Sequence, residues 1–146
     1  MIRIEESVEV DVPVAAAYAQ WSRFEEFPRF MPGVLSVQRT APHLTHWVVR
    51  LAGATREFDA TVTELVPQER IAWCSLSEEV RQAGVVTFHR LSEGRTRVML
   101  QLDSSPLGVL ETVGGALGFV HRQSLEDLRG FKDFVESSPG DAAPGN

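Results

Sequence analysis

The chain has 146 residues, of which 43% are hydrophobic and 23% charged, and its formal net charge is −6. This length suits one domain with its own hydrophobic core, and the composition is that of a globular protein rather than a disordered one. The acidic balance, without a run of Lys or Arg, argues against nucleic acid or an anionic membrane surface as partner. We expect a single domain over residues 1–136 and a disordered tail at residues 137–146, which contain no large apolar side chain.

Two features predict a cytoplasmic location. The single cysteine, Cys74, has no partner for an intramolecular disulfide. The N-terminal segment carries acidic residues where a signal peptide has a basic region followed by an apolar stretch. In addition, no apolar run approaches the roughly 18 residues that would indicate a membrane span.

The N-terminal third predicts a strand followed by two short helices. Residues 2–10 alternate between apolar and polar side chains, as in a half-buried strand, with a kink expected at Glu6 where the spacing slips. A helix opened by Pro13 would place Val14, Tyr18 and Trp21 on one face. Ser22 and Glu25 have the spacing of a capping box. They predict a second helix that turns Phe24 and Phe27 inward and ends before Pro28.

From residue 34 onward the hydrophobic period is about two, and turn residues separate the apolar runs. The links are too short for parallel crossovers, so neighbouring strands should be antiparallel. With the first strand, the pattern predicts a seven-stranded meander. Its six further strands are expected at Val34–Thr40, His46–Leu51, Glu57–Val66, Arg70–Leu76, Gly84–Leu91 and Thr96–Asp103.

A long C-terminal helix should complete the domain. Ser105 and Pro106 have the residue types of an N-cap and a first-turn proline, while Gly114, Gly115 and Gly118 predict a kink or break soon after. At 3.6 residues per turn, one stripe of this helix faces the sheet and carries Leu117, Val120, His121, Ser124, Leu128, Phe131 and Val135. The opposite side carries Arg122, Glu126, Arg129 and Asp133.

These elements predict an α+β fold in which a curved antiparallel sheet wraps the C-terminal helix and the two short helices plug one end. Small residues such as Gly84 and Gly118 leave space between sheet and helix, so we expect a cavity for an apolar small molecule. Its walls would be four aromatic side chains that share strand faces with aliphatic residues. These are Trp47, Phe58, Trp73 and Phe88.

For each of these aromatic residues, packing in the core is the alternative to contact with a ligand. His121 and Ser124 interrupt the apolar stripe one helical turn apart. They are interpreted either as a pair that orients the ligand or as polar groups satisfied within the structure. The remaining histidines show no metal-ligand spacing, and we expect neither a metal nor a cofactor. Cys74 is predicted to be a small apolar filler rather than a nucleophile.

Three carboxylates on the predicted fourth strand are candidate acid/base groups. Glu57 and Asp59 alternate with Phe58 and are expected to point to solvent. Glu64 shares the phase of Phe58 but lies near the end of the strand, where we expect solvent access. These positions therefore give no set of catalytic residues.

Residues 18–34, YAQWSRFEEFPRFMPGV, are followed by HWVVRL, REFDATVTELVPQERIAW and GVVTFHRL. In this order the segments resemble the polyketide cyclase/dehydrase-like branch of the START-like (SRPBCC) superfamily, and the chain is also similar to coenzyme-Q-binding proteins. The resemblance spans roughly residues 2–136. It implies the helix-grip fold and a cavity that binds lipids, quinones or polyketides. In aromatase/cyclase members an arginine precedes the V-P turn and helps to position the polyketide, whereas Leu65 or an apolar neighbour lies there in this chain.

Three functions are consistent with the sequence. The leading hypothesis is binding of a hydrophobic lipid-, quinone- or polyketide-like molecule in the cavity. An aromatase/cyclase or dehydrase that orients a poly-β-ketone is the second, and loss of His121 and Ser124 should abolish its activity. The third is a protein- or membrane-interaction module in which an exposed patch of Phe24, Phe27, Phe30 and Met31 forms the docking surface.

Overall fold

The structure, a computed structural model, describes residues 2–51, 54–77, 80–106 and 116–137. It is an α+β fold with seven strands, as the hydrophobic periodicity predicted. In chain order the elements are β1 (Ile2–Val10), α1 (Val14–Trp21), a 3₁₀ helix (Phe24–Arg29), β2 (Val34–Ala41), β3 (Leu44–Leu51), β4 (Ala54–Val66), β5 (Arg70–Ser75), β6 (Val80–Ser92), β7 (Arg95–Pro106) and α2 (Ala116–Ser137).

The seven strands form one antiparallel sheet in the order β1-β7-β6-β5-β4-β3-β2. Strands β2 to β7 are a meander, because each link between neighbours is too short for a parallel crossover. Strand β1 returns to pair with β7, so β1 and β2 lie at opposite edges and the sheet is open. The segment with α1 and the 3₁₀ helix therefore connects the two edges.

Helix α2 lies against the inner face of the sheet, and its buried side is the apolar stripe that the sequence predicted. Leu128, Phe131 and Val135 are each at most 1% exposed, whereas the predicted outer residues of the helix, such as Arg129 and Asp133, are exposed. The C-terminal part of α2 is joined to β1 because Lys132 Nζ donates to the carbonyl oxygen of Glu9 at 2.9 Å. This contact, with the buried apolar stripe, fixes the helix across the sheet.

The aromatic residues of the 3₁₀ helix point into the core. Phe24, Phe27, Phe30 and Met31 are between 3% and 7% exposed. Phe27 makes edge contacts with the rings of Trp21 and Phe30. The ring centroids of Phe30 and of Phe131 in α2 are 5.8 Å apart. The expected exposed docking patch is therefore wrong, because packing against α2 and the sheet buries these side chains.

Three helix boundaries also differ from the sequence prediction. Ser105 and Pro106 end β7, where they pair with β6, and do not open a helix. Ser22 caps the C-terminus of α1, its hydroxyl donating to the carbonyl oxygen of Ala19, and so forms no capping box with Glu25. Pro28 lies inside the second helical segment, whose 3₁₀ geometry accommodates it.

Two smaller expectations are also wrong. β1 pairs with β7 without a register shift, so there is no kink at Glu6. Cys74 is exposed on the outer face rather than filling the core. Glu64 is exposed, as expected, and pairs with Arg70 at 3.0 Å. Its phase differs from the prediction, because a β-bulge between Val62 and Glu64 interrupts the alternation of β4.

Two predictions lie outside the described residues, namely the break at Gly114 and Gly115 and the disordered tail beyond Ser137. Among the helices that the structure describes, none combines the length and the apolar character needed to cross a membrane. The cytoplasmic location stays a prediction.

Candidate functional site: a cavity between the sheet and the C-terminal helix

A cavity of about 110 Å³ lies between the inner face of the sheet, the 3₁₀ helix and α2. Its size is of the order of the engineered cavity of about 150 Å³ that binds benzene. Most of its wall is apolar and aromatic. The described residues that line it are Trp21, Phe24, Phe27, Met31, Gly33, Val34, Thr45, Trp47, Val49, Arg50, Val62, Ile71, Trp73, Gln82, Leu100, Leu102, Gln123, Ser124 and Asp127.

Trp47 forms a rigid part of the wall on β3. Its indole Nε1–H donates to the hydroxyl oxygen of Thr45 at 2.7 Å, and the Thr45 hydroxyl donates in turn to the carbonyl oxygen of Ala60. The ring stacks on Phe58 with 6.0 Å between centroids and 4° between planes. Since its polar group is satisfied and its ring is packed, Trp47 offers the cavity an apolar surface.

Trp73 forms the wall on β5 and differs from Trp47 in its hydrogen bonding. Its indole lies over Gly84, the residue opposite on β6, and a Cβ at Gly84 would come within 2.5 Å of that ring. The Trp73 Nε1 atom is buried and has no hydrogen-bond partner within the described part of the chain. A buried N–H without a partner is costly and unusual in a folded protein.

Helix α2 contributes the polar side of the cavity. Gln123, Ser124 and Asp127 all line it, since residues three and four positions apart share a helix face. The Asp127 carboxylate oxygen Oδ1 accepts from the backbone N–H of Gly33 at 3.5 Å and from the Gln123 side-chain amide at 3.4 Å. Both distances are at the long limit for hydrogen bonds, so Asp127 is only weakly held.

Burial raises the pKa of Asp127 from 3.8 to about 7. Loss of hydration is the main cause, and the neighbouring charge of Glu126 acts in the same direction. The hydrogen bonds from Gly33 and Gln123 lower the pKa but do not offset burial. A carboxyl group of this kind changes its protonation near neutral pH and can act as an acid or a base.

Arg50 brings a positive side chain to the same region. It lines the cavity and is exposed, and its backbone N–H donates to the carbonyl oxygen of Gly33 at 2.9 Å. Gly33 therefore contacts both Arg50 and Asp127 through its backbone. A Cβ at Gly33 would overlap the end of the Gln123 side chain, so a larger residue at this position would require that side chain to move.

The structure brings together three of the six residues predicted from the sequence. Trp47, Trp73 and Ser124 line the cavity, and Ser124 is 4% exposed. Phe58 and Phe88 are buried in the packed core and do not belong to the lining. The side chain of His121 lies outside the described residues.

The sequence analysis missed Asp127, Gln123 and Gln82. Asp127 follows Ser124 by three residues and lies at the border of the apolar stripe of α2. A carboxylate at that border, one helical turn after a polar residue within the stripe, is the sequence pattern that could have identified Asp127 as a candidate site residue. Gln82 lies between the fifth and sixth predicted strands. In the structure β6 begins at Val80 and therefore includes Gln82.

A second group of titratable side chains lies on the outer face of the sheet, away from the cavity. His46 contacts Asp59 through Nδ1 at 2.8 Å and Glu57 through Nε2 at 3.0 Å. Hydrogen bonds to these carboxylates raise the pKa of His46 above 6.5. Across the described ranges, no three His, Cys, Asp or Glu side chains are arranged to hold a metal ion.

The sequence profile of the family described as polyketide cyclase/dehydrase and lipid transport matches residues 10–132. The chain belongs to this family. An uncharacterised 17.2 kDa protein from the melC2-rnhH intergenic region of Streptomyces lincolnensis is 53% identical over 136 residues, which cover 93% of this chain and 91% of the relative.

Solved structures of low sequence identity have a similar fold. A START superfamily protein from Mycobacterium smegmatis has a TM-score of 0.76 at 17% identity, covering 97% of this chain and 99% of its own. The Zhui aromatase/cyclase from a Streptomyces species has a TM-score of 0.77 at 19% identity, covering 94% of each chain. These likenesses confirm the helix-grip fold.

Proposed function

We propose that this family member binds an apolar, ring-containing small molecule in the cavity between the sheet and α2. The observation that carries the proposal is a cavity with a mostly aromatic and aliphatic wall that also contains a few polar residues, among them Ser124 and Asp127. This combination is typical of small-molecule sites, in which apolar area gives affinity and few polar groups give orientation. The family description, which includes lipid transport, supports it.

The size of the cavity limits what this conformation accepts. At about 110 Å³ it has room for a single ring. A polyketide or a long-chain lipid is larger than the space among the described lining residues. The rings of Trp21 and Phe30 both make edge contacts with Phe131 of α2. These contacts oppose an outward movement of α2 that would enlarge the cavity. We therefore expect one-ring compounds to bind more readily than long chains.

Binding is tested by thermal unfolding with toluene, since a ligand that binds only the folded state raises Tm. The variant Val62→Phe places a phenyl ring in the cavity, because Val62 of β4 lines it. The control variant Thr63→Phe places the same ring on the outer face, where Thr63 is exposed. We expect toluene to raise the Tm of the wild type and of Thr63→Phe but not of Val62→Phe. Equal Tm shifts in all three proteins would contradict binding in this cavity.

The second candidate is a cyclase or dehydrase acting on a poly-β-ketone, and Asp127 favours it. Such a reaction moves a proton from a carbon next to a carbonyl and loses an oxygen as water, which requires an acid and a base. Asp127 has a pKa of about 7 and lines the cavity next to Ser124, so it is poised for either role. The name of the Zhui aromatase/cyclase supports this reaction class.

Its test is turnover of a poly-β-ketone analogue by wild type, Asp127→Asn and Ser124→Ala. If Asp127 transfers the proton, Asp127→Asn lowers kcat by about a hundredfold or more and removes the pH dependence near 7. Asp133→Asn, on the exposed side of α2, is the matched control and should keep full activity. Unchanged kcat in Asp127→Asn would eliminate this role, while leaving binding of apolar compounds intact.

A further inference from the structure

The polar side of the cavity contains a hydroxyl group without a hydrogen-bond partner. Ser124 is 4% exposed and lines the cavity, yet its hydroxyl makes no hydrogen bond within the described part of the chain. A buried serine in a helix can donate to the carbonyl oxygen of the preceding turn, and Ser124 does not. A buried hydroxyl without a partner weakens the folded state, so this position is a candidate for contact with a ligand.

The Ser124 hydroxyl is open to the cavity. Among the described residues, Trp73 Nε1 is the unpartnered side-chain atom that the protein encloses completely, and the Ser124 oxygen is not enclosed in this way. This oxygen therefore keeps some accessible surface. Because Ser124 as a whole is almost fully buried and lines the cavity, the space that its hydroxyl reaches is the cavity itself.

Asp127, one helical turn later, supplies an acceptor beside this hydroxyl. Its hydrogen bonds from Gly33 and Gln123 both end on Oδ1. The other carboxyl oxygen, Oδ2, has no partner among the residues that the structure describes and is not completely enclosed. Since Asp127 lines the same cavity, an open acceptor lies one turn from an open donor.

The spacing of the two side chains suits a single ligand oxygen. Cβ atoms three positions apart on a helix are separated by about 5–6 Å. Ser124 and Asp127 make no hydrogen bond to each other, so the space between their polar atoms is free for a third group. An oxygen atom placed there can lie at about 2.8 Å from both.

A hydroxyl group matches this pair better than other common polar groups. It accepts from Ser124 and at the same time donates to Asp127, whose carboxyl group has an acceptor oxygen in either protonation state. A ketone oxygen accepts from Ser124 but has no hydrogen for the ionised carboxylate. An ammonium group donates to Asp127 but has no lone pair for the Ser124 hydroxyl, and an apolar wall leaves its other hydrogens without acceptors.

We infer that Ser124 and Asp127 form a subsite for a hydroxyl group on the apolar ring of the ligand. The ligand O–H donates to Asp127 Oδ2, and its oxygen accepts from the Ser124 hydroxyl. The inference rests on the proposed function and narrows its ligand class to phenols and related ring alcohols. A hydrocarbon of the same shape fills the cavity but leaves both protein groups without a partner, so the subsite discriminates in favour of the hydroxyl compound.

The test compares phenol with toluene, in which a methyl group replaces the hydroxyl on the same ring. Their dissociation constants are measured by titration calorimetry at pH 8. In a cavity without polar partners, the cost of burying the hydroxyl makes phenol bind between about five- and a hundredfold more weakly than toluene. With the subsite present, we expect phenol to bind at least as tightly as toluene.

Two variants separate the subsite from the rest of the cavity. Ser124→Ala removes the donor, and Asp127→Leu removes the acceptor with a side chain of similar size. Each should lower the affinity of phenol relative to toluene by about three- to tenfold, while binding of toluene shows that the cavity is intact. Asp133→Leu makes the same change on the exposed side of α2 and should keep the wild-type ratio. Ser124→Ala removes a single atom and decides the question alone if Asp127→Leu does not fold.

The outcomes distinguish this inference from the proposed function. If toluene binds to the wild type more tightly than phenol does, the hydroxyl subsite is wrong and the apolar cavity stands. If neither compound binds to the wild type, the proposed function fails and the subsite fails with it. A wild-type affinity ratio that survives Ser124→Ala would also overturn the assignment.

Discussion

The replacement Asp127→Asn tests the electrostatics of the cavity through protein stability. The folded state raises the pKa of this carboxyl from 3.8 to about 7 because burial removes it from water. The folded protein therefore binds this proton more tightly than the unfolded chain does. The stability associated with the protonated group is fully present below pH 3.8 and is lost progressively as pH rises through 7. Above pH 7 the folded state carries a poorly hydrated charge.

The size of the effect follows from the pKa difference. The rise of the Asp127 pKa from 3.8 to about 7 corresponds to a free-energy difference of about 4 kcal/mol as an upper limit. Asp127 is half-buried, and its remaining contact with solvent reduces this to about 2–3 kcal/mol. Asparagine is neutral at every pH and its oxygen can still accept from Gly33 and Gln123. The variant should therefore avoid the cost of the buried charge without losing these contacts.

The assay is urea unfolding of wild type and Asp127→Asn at several pH values between 4 and 8.5. We expect equal free energies of unfolding near pH 4 and a variant that is about 2–3 kcal/mol more stable at pH 8.5. Asp133→Asn, on the exposed side of the same helix, controls for the loss of a surface charge. If the stability difference does not change with pH, or if the asparagine variant is less stable at pH 8.5, then the buried charge of Asp127 does not destabilise the folded state.

Three further predictions concern the core and the outer face. Gly130→Ala should destabilise by about 1–3 kcal/mol, since its Cβ would overlap the carbonyl oxygen of Phe30; a gain in stability on urea unfolding would contradict this packing. Phe131→Ala should cost about 3–5 kcal/mol in the same assay, because the ring is fully buried against Trp21. His46→Gln should cost less than about 1 kcal/mol below pH 6.5, and this loss should vanish as pH rises through the raised pKa of His46; a loss that grows with pH would exclude the ion pairs.

The strands and the buried side of α2 could be predicted because their signals are local. Alternation along each strand places side chains on one face, and the 3.6-residue period assigns Leu128, Phe131 and Val135 to the core. Both patterns depend only on the order of residues. Boundaries depend on pairing as well. Ser105 and Pro106 have the residue types of a helix start, yet they extend β7 because β6 is long enough to pair with them.

The site was harder to predict because it depends on contacts between distant segments. Burial in the folded protein raises the pKa of Asp127, and Gly33, which donates a hydrogen bond to it, lies 94 residues away in sequence. Likewise, the β-bulge that turns Glu64 outward arises in the pairing of β4 with β5. Aromatic residue type predicted burial correctly for Phe58 and Phe88, but whether a ring lines a cavity or fills the core depends on its neighbours.

The central claim is that the cavity beneath Trp47 and Trp73 holds an apolar ring compound. Native mass spectrometry of protein purified without denaturants and then incubated with acetophenone tests it directly. We expect one bound molecule on the wild type and on Thr63→Phe, and none on Val62→Phe, whose added ring occupies the cavity. A wild-type protein that stays unbound at saturating probe, or a Val62→Phe protein that binds equally well, would contradict it.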